Sequence, residues 1–74
     1  MREFNYEIIE KLAVLSRDLN GNTLELNIIS YNMAMPKLDL RRWRGELMFK
    51  GVAMTEAEAV ALYHALEERY GARE

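Results

Sequence analysis

The spacing of apolar residues changes once along this 74-residue chain, at Thr55. Before Thr55, apolar and polar residues mostly alternate, which is typical of β-strands with one buried face. After it, apolar residues recur at intervals of three and four, which predicts an α-helix. These residues are Ala59, Leu62, Tyr63, Leu66 and Tyr70. Thr55 and Glu58 have the spacing of a capping box, and Gly71 predicts the end of the helix.

Turn signals divide the residues before Thr55 into four strands. Asn20-Gly21 is a strong hairpin signal, the stretch that ends at Pro36 interrupts the alternation, and Gly45 marks a third turn. We therefore expect strands over residues 4–17 (from Phe4 to Arg17), 23–32, 37–43 and 47–54. The predicted fold is α+β: one domain over residues 1–74, with a four-stranded curved antiparallel sheet followed by one C-terminal helix.

The first strand changes phase between Ile8 and Ile9. Residues before this point alternate with one parity, whereas Lys11, Ala13 and Leu15 continue with the other. A change of parity within a strand predicts a β-bulge, which bends the strand. A helix over the same segment is the alternative, because its apolar residues also fit a period of 3.6.

The small size of the chain predicts self-association. A chain of this length buries too little surface to be robustly stable without a disulfide, a metal or a partner subunit. It has no cysteine, and its one histidine, His64, cannot form a histidine-rich metal site, so we expect no metal or cofactor. We predict a homodimer that buries the apolar side of the helix, with a compact monomer as the alternative. The interface residues would be Leu62, Tyr63, Leu66 and Tyr70.

The location of the protein is predicted from its lack of membrane signals. No apolar run approaches the roughly 18–20 residues of a membrane span, and the first residues contain no apolar signal core. We therefore expect a cytoplasmic protein without a membrane partner.

Positive charge is concentrated in the middle of the chain. The net charge is −2, yet residues 37–50 contain five basic and only two acidic residues. Salt screens charges beyond about 8–10 Å, so a polyanion responds to the local field rather than to the net charge. The predicted third strand places Lys37, Arg41 and Trp43 on one face, and Tyr31 on the preceding strand can lie beside them.

Cations beside flat side chains are what a single-stranded nucleic acid requires, because phosphates bind the cations and bases stack on the rings. Two more ordinary readings exist for the same residues. Trp43 could be a packed aromatic residue, and Lys37 and Arg41, which alternate with Asp39, could form a charge ladder between strands.

Four segments of the sequence resemble the bacterial YdbC-like proteins, which belong to the family of the transcriptional coactivator positive cofactor four. The combination of Lys37-Leu38-Asp39-Leu40-Arg41-Arg42-Trp43 with Lys50-Gly51-Val52 is the most specific part. The other two segments are residues 4–16 and 27–32. The resemblance covers roughly residues 4–70. It implies a protomer of four strands and a helix, a homodimer joined largely through its helices, and single-stranded DNA binding on the curved sheets.

The resemblance also implies which residues bind the nucleic acid. Tyr31 occupies a stacking position, although a Trp is expected there in the bacterial branch. Lys37 and Arg41 occupy basic positions of the sheet, Trp43 lies near the second aromatic position, and Lys50 matches a Lys-Gly motif. Hydrogen bonds to base edges are expected from Asn27 and Asn32. The connection between the last two strands is too short to be the long basic loop of some relatives.

We therefore expect a homodimeric, largely sequence-independent single-stranded DNA-binding protein of the cytoplasm, located at the nucleoid. We expect it to act in transcription regulation, replication or repair. A transcription or repair protein is a further candidate partner, and RNA is a second candidate ligand. The alternative is a dimeric protein-interaction module that binds no nucleic acid directly. We do not expect an enzyme, because no phosphate-binding loop, cysteine nucleophile or recognised catalytic motif is present.

Overall fold

The computed structural model describes residues 5–72, which form one antiparallel sheet and one helix. The strands are β1 (Tyr6–Arg17), β2 (Asn22–Tyr31), β3 (Lys37–Arg44) and β4 (Leu47–Met54), and the helix is α1 (Glu56–Tyr70). The strands lie side by side in chain order. This arrangement confirms the predicted four strands and C-terminal helix, and a helix over the first segment is wrong. Phe4, the expected start of β1, lies outside the described residues.

The turns follow the local chemistry of the sequence. In the first turn the Asp18 carboxylate accepts hydrogen bonds from the backbone N–H groups of Asn20 and Asn22, each at 2.9 Å. A further bond from the Asn22 side chain is the main reason that the pKa of Asp18 is lowered. Gly21 and Gly45 have φ angles of 87° and 58°, which glycine adopts without a steric penalty.

Three β-bulges interrupt the pairing of β1 with β2. The register shifts at Ile9, at Leu12 and at Leu15, so one extra residue is inserted every three residues. The bulge at Ile9 was predicted from the change of parity, whereas the other two were not. Each bulge increases the twist and bend of its strand. Together with a register shift in β4, opposite β3, they curl the sheet strongly.

The core of the protomer lies on the concave face of this curled sheet. The rings of Tyr6 and Trp43 come together across that face, with 5.8 Å between their centroids. Apart from Ser30, the buried residues of β2 and β3 have one parity and point to this side. They are Thr23, Asn27, Ile29, Asp39 and Trp43. The core is therefore small and contains three polar side chains.

The convex face is apolar and incompletely covered. Its residues on β2 and β3 are only half-buried, and Val52 on β4 is 51% exposed. The half-buried residues are Leu24, Leu26, Ile28, Leu38 and Leu40. Helix α1 makes few contacts with β3 and β4, and none of its residues is buried. The helix therefore leaves most of this face open and projects from the sheet, which makes the molecule 54 Å long.

The capping box at the start of α1 is present as predicted. The Thr55 hydroxyl accepts a hydrogen bond from the backbone N–H of Glu58, and the Glu58 carboxylate accepts one from the backbone N–H of Thr55. The helix ends at Tyr70, and Gly71 follows in an extended conformation. Within residues 5–72, no helix has both the length and the apolar character needed to span a membrane.

Candidate nucleic-acid interface

The concave face brings together most of the residues that the sequence analysis selected. Pairing of β2 with β3 places Asn27 opposite Asp39 and Thr23 opposite Trp43. Side chains of paired residues point to the same side of a sheet. Tyr31 follows Asn27 with the same parity on β2, and Lys37 and Arg41 flank Asp39 with the same parity on β3. The predicted sharing of one face by the basic and aromatic residues is therefore confirmed.

At the centre of the concave face, Asp39 holds Tyr31 and Arg41 in place. The Asp39 carboxylate is fully buried and accepts a hydrogen bond of 2.6 Å from the Tyr31 hydroxyl. It also accepts bonds of 2.7 and 2.8 Å from Nε and Nη2 of Arg41. The guanidinium carbon lies 5.6 Å from the centroid of the Tyr31 ring. The three side chains therefore form one connected, rigid group.

The protonation of this group follows from its contacts. Burial raises the pKa of Tyr31 well above its ordinary value of 10.0, and the hydrogen bond to Asp39 raises it further. The hydrogen bonds to Asp39 also raise the pKa of Arg41. At neutral pH, Tyr31 is thus a neutral hydrogen-bond donor. Arg41 is an ion-paired cation, and most of its charge is compensated by Asp39.

Arg41 also connects β3 to β4. Its Nη1 donates a hydrogen bond of 2.9 Å to the carbonyl oxygen of Phe49, beside the register shift of β4. Gly51, which pairs with Arg41, has no room for a side chain, because a Cβ there would collide with the Cβ of Arg41. This close approach gives a physical reason for glycine in the Lys50-Gly51-Val52 segment. Lys50 itself is exposed next to the irregularity.

Trp43 is a core residue. Only 3% of its surface is exposed, its ring packs against Tyr6, and its indole Nε1 has no hydrogen-bond partner among the described residues. The ring is therefore closed off from solvent in this conformation, as in the packed-aromatic reading of the sequence. Tyr31 is half-buried and Lys37 is exposed, so a ligand can reach these two residues on the concave face, and Lys50 and Asn32 are exposed outside it.

The two asparagines of the predicted set have different surroundings. Asn27 is 1% exposed, and neither polar atom of its side chain has a partner among residues 5–72. Asn32 lies in the turn after β2, where its side-chain oxygen accepts a hydrogen bond of 3.0 Å from the backbone N–H of Asn5. Its own backbone N–H donates to the carbonyl oxygen of Asn5. Asn32 therefore fastens the beginning of β1 to this turn.

Two basic residues of the concave face were missed by the sequence analysis. The bulges of β1 pair Lys11 with Asn27 and Arg17 with Thr23, so both side chains point to the concave side. Simple alternation cannot reveal this, because each bulge changes the parity. Residues whose register partners point to this face include four basic and two acidic side chains. They are Lys11, Arg17, Lys37, Arg41, Glu25 and Asp39.

The described residues contain no group of three or more histidine, cysteine, aspartate or glutamate side chains that could hold a metal ion. The chemistry available on the concave face is instead that of cations, aromatic rings and amide or carboxylate hydrogen bonds. Such a set binds and orients a ligand through its charge, its flat surfaces and its polar edges.

Comparison with known proteins identifies a relative, but the name of that relative states no activity. No protein-family model matches this chain. An uncharacterized protein of Treponema pallidum (strain Nichols) is 44% identical to it over 62 residues. The matched region covers 81% of this chain and 73% of the treponemal protein.

Proposed function

Because this chain belongs to the same family as the uncharacterized Treponema pallidum protein, whose name gives no activity, we propose its function from its own residues. The protein is a homodimer that binds single-stranded DNA, with little sequence preference, on the concave faces of its sheets. The family is a branch of the positive cofactor four family, and the protein acts at the nucleoid in transcription regulation, replication or repair. It carries out no catalysis and uses no cofactor.

The observation that carries this proposal is the cluster formed by Tyr31, Lys37 and Arg41. Tyr31 is only half-buried, and Asp39 and Arg41 fix the orientation of its ring. A rigid ring stacks on a base with a smaller loss of side-chain entropy than a mobile one. The exposed Lys37 supplies a mobile cation for the adjacent phosphate. Arg41, whose charge Asp39 largely compensates, orients the ring and does not act as a primary phosphate ligand.

Lys11 and Arg17 extend the basic surface beyond this cluster. Both are exposed, and their register partners point to the concave face. A single strand that crosses from β3 to β1 would have cations at both ends of its path. This arrangement supports electrostatic attraction of a polyanion despite the net charge of −2.

The homodimer is supported by the surface that the protomer leaves uncovered. The convex face and the helix both expose apolar side chains, among them Val52, Leu62, Leu66 and Tyr70. Large exposed apolar patches are typical of interfaces, and a two-fold axis allows one patch to cover its own copy. In such a dimer the concave faces remain free to bind DNA.

Fluorescence anisotropy tests the proposed ligand. We expect oligo-dT to bind more tightly than a duplex of equal length, because a duplex cannot place its bases on Tyr31. Lys37→Ala should weaken the binding and reduce the slope of log K against log salt by about 0.7 for each phosphate that the variant no longer neutralises. Arg42→Ala is the matched control, because Arg42 is a neighbouring exposed cation with the opposite parity on β3. An RNA of equal length shows whether the 2′-hydroxyl is tolerated.

A protein-interaction module is the second candidate function, and the exposed residues of β1 favour it. The three bulge residues Ile9, Leu12 and Leu15 are 43–54% exposed and apolar. A partner protein of transcription or repair could cover them. If oligo-dT and duplex bind equally weakly and neither titration depends on Lys37, the proposed DNA site is wrong and this second function is favoured.

A further inference from the structure

Asn27 presents a buried amide without a hydrogen-bond partner. Its Oδ1 and Nδ2 both lack partners among the described residues, although the side chain is 99% buried. Buried polar groups in proteins are nearly always hydrogen-bonded, because an unpaired one loses its hydration without compensation. A leucine of similar size would fill the same space without that penalty. The packing of the protomer therefore does not explain why position 27 is an asparagine.

A cavity of about 370 Å³ adjoins this amide. Residues 11–14 and Arg17 of β1 line it on one side, and Glu25 and Asn27 of β2 line it on the other. The pairing of Lys11 with Asn27 and of Val14 with Glu25 shows that these side chains share the concave face. The lining of the cavity thus includes two cations, an amide and a carboxylate.

The polar groups of the cavity match the edge of a nucleobase. The Asn27 amide offers one acceptor and one donor side by side, which can pair with two adjacent groups of a base. The Glu25 carboxylate is a second acceptor, held by a hydrogen bond of 2.5 Å from the Thr23 hydroxyl. An exocyclic amino group has two N–H bonds and can donate to both acceptors. Thymine has one N–H on its pairing edge and cannot.

We propose that this cavity accepts one base of a bound single strand and selects bases that carry an exocyclic amino group over thymine. The proposal rests on the proposed single-stranded DNA binding and adds a position of base selection to it. Asn27 and Glu25 bind the polar edge of the base, and Lys11 and Arg17 bind the flanking phosphates. Because Asn27 is almost fully buried, the exposed side chains of Lys11 and Leu12 move apart when the base enters.

Competition among oligonucleotides of equal length tests this selection. We expect the wild-type protein to bind oligo-dC more tightly than oligo-dT by about 5-fold to 160-fold, the range for a bidentate contact to a base edge. Glu25→Gln keeps the shape of the side chain and should reduce the preference, because Glu25 is the second acceptor that distinguishes an amino group from thymine. Asn27→Leu should weaken the binding of both oligonucleotides, because the N–H and the neighbouring carbonyl oxygen of thymine also pair with the amide.

Urea unfolding of Asn27→Leu without DNA gives an independent measurement. We expect its midpoint to be higher than that of the wild type, because the substitution removes two unpaired buried atoms. A lower midpoint would mean that the amide is a structural group, which would overturn the proposal. Equal binding of oligo-dC and oligo-dT by the wild type would overturn the base-selective cavity alone. Failure of the wild type to bind either oligonucleotide would overturn the proposed function together with it.

Discussion

Tyr6 and Trp43 pack against each other, although their partners on β2 lie at opposite ends of that strand. Tyr6 pairs with Tyr31 and Trp43 pairs with Thr23, eight residues away. In a flat sheet, residues so far apart along a strand would be separated by about 26 Å, at roughly 3.3 Å per residue. The two rings are instead 5.8 Å apart. This contact shows how strongly the sheet is curled, and it covers the part of the concave face around Trp43, whereas Tyr31 and Lys37 stay accessible.

Trp43 is expected to stabilise the fold, whether or not it also contacts a ligand. Trp43→Ala should lower the free energy of unfolding by about 3–5 kcal/mol, because it removes a large buried ring. Urea denaturation checks this value, and Leu19→Ala is the control because Leu19 is fully exposed. Trp43 is the only tryptophan, so its fluorescence reports on this site alone. Quenching by oligo-dT would show that the face opens and that the indole contacts a base.

Arg41 and Arg42 are adjacent in the chain and should differ greatly in their effect on folding. Arg41→Ala leaves the buried carboxylate of Asp39 without its cation, a change that costs about 3–5 kcal/mol in a buried pair. Arg42→Ala removes an exposed cation and should change the free energy of unfolding by less than about 0.5 kcal/mol. Chemical denaturation of the two variants side by side measures the difference. Equal effects would contradict the ion pair.

The hydroxyl of Tyr31 is expected to make stability depend on pH in the alkaline range. Its pKa is raised in the folded protein, so the unfolded chain loses this proton first as the pH increases. The contribution is therefore complete below pH 10.0, the ordinary value, and is lost as the pH rises toward the folded value. Unfolding free energies measured between neutral pH and pH 11 should decrease above pH 10.

Tyr31→Phe should remove this alkaline dependence. At neutral pH it should lower the free energy of unfolding by about 1.5–3 kcal/mol, the usual contribution of a hydrogen bond to a charged group. The wild-type protein, measured over the same pH range, is the control. If Tyr31→Phe keeps the alkaline dependence of the wild type, another group causes it.

Leu66→Glu is expected to dissociate the proposed homodimer. At 100° per residue, Leu66 lies on the same side of α1 as Leu62 and Tyr70, whereas Ala61 lies on the opposite side. A glutamate at position 66 would be buried without a partner in the interface, whereas one at position 61 would face solvent. Sedimentation equilibrium should give a dimer for the wild type and for Ala61→Glu. An 8.7 kDa monomer for all three proteins would exclude the dimer.

The order of the elements could be predicted from the sequence because each rests on a local signal. The capping box of Thr55 and Glu58, the alternation in β2 and β3, and the Asn20-Gly21 turn are all readable over a few residues. The burial of Trp43 and the pairing of Arg41 with Asp39 could not be predicted in this way. Alternation shows which side chains share a face, but the curl of the sheet determines whether that face is open or closed.

The curl itself depends on bulges that alternation does not reveal. The bulge at Ile9 changes the parity visibly, but those at Leu12 and Leu15 give a spacing of three that also fits a helix. As a result, Ala13 was expected on the same face as Lys11, although its partner is Leu26 on the convex side. Without the bulges, the cavity between β1 and β2 could not be anticipated either.

The same bulges protect the protein from polymerisation. β1 is a long outer strand with exposed apolar residues, which is the kind of edge that recruits strands of other molecules and starts aggregation. Along β1, however, no more than three successive residues stay in register before the next bulge. An incoming strand would meet N–H and C=O groups at irregular intervals and could not extend a regular ladder. The protein can therefore expose β1 to solvent without polymerising through this edge.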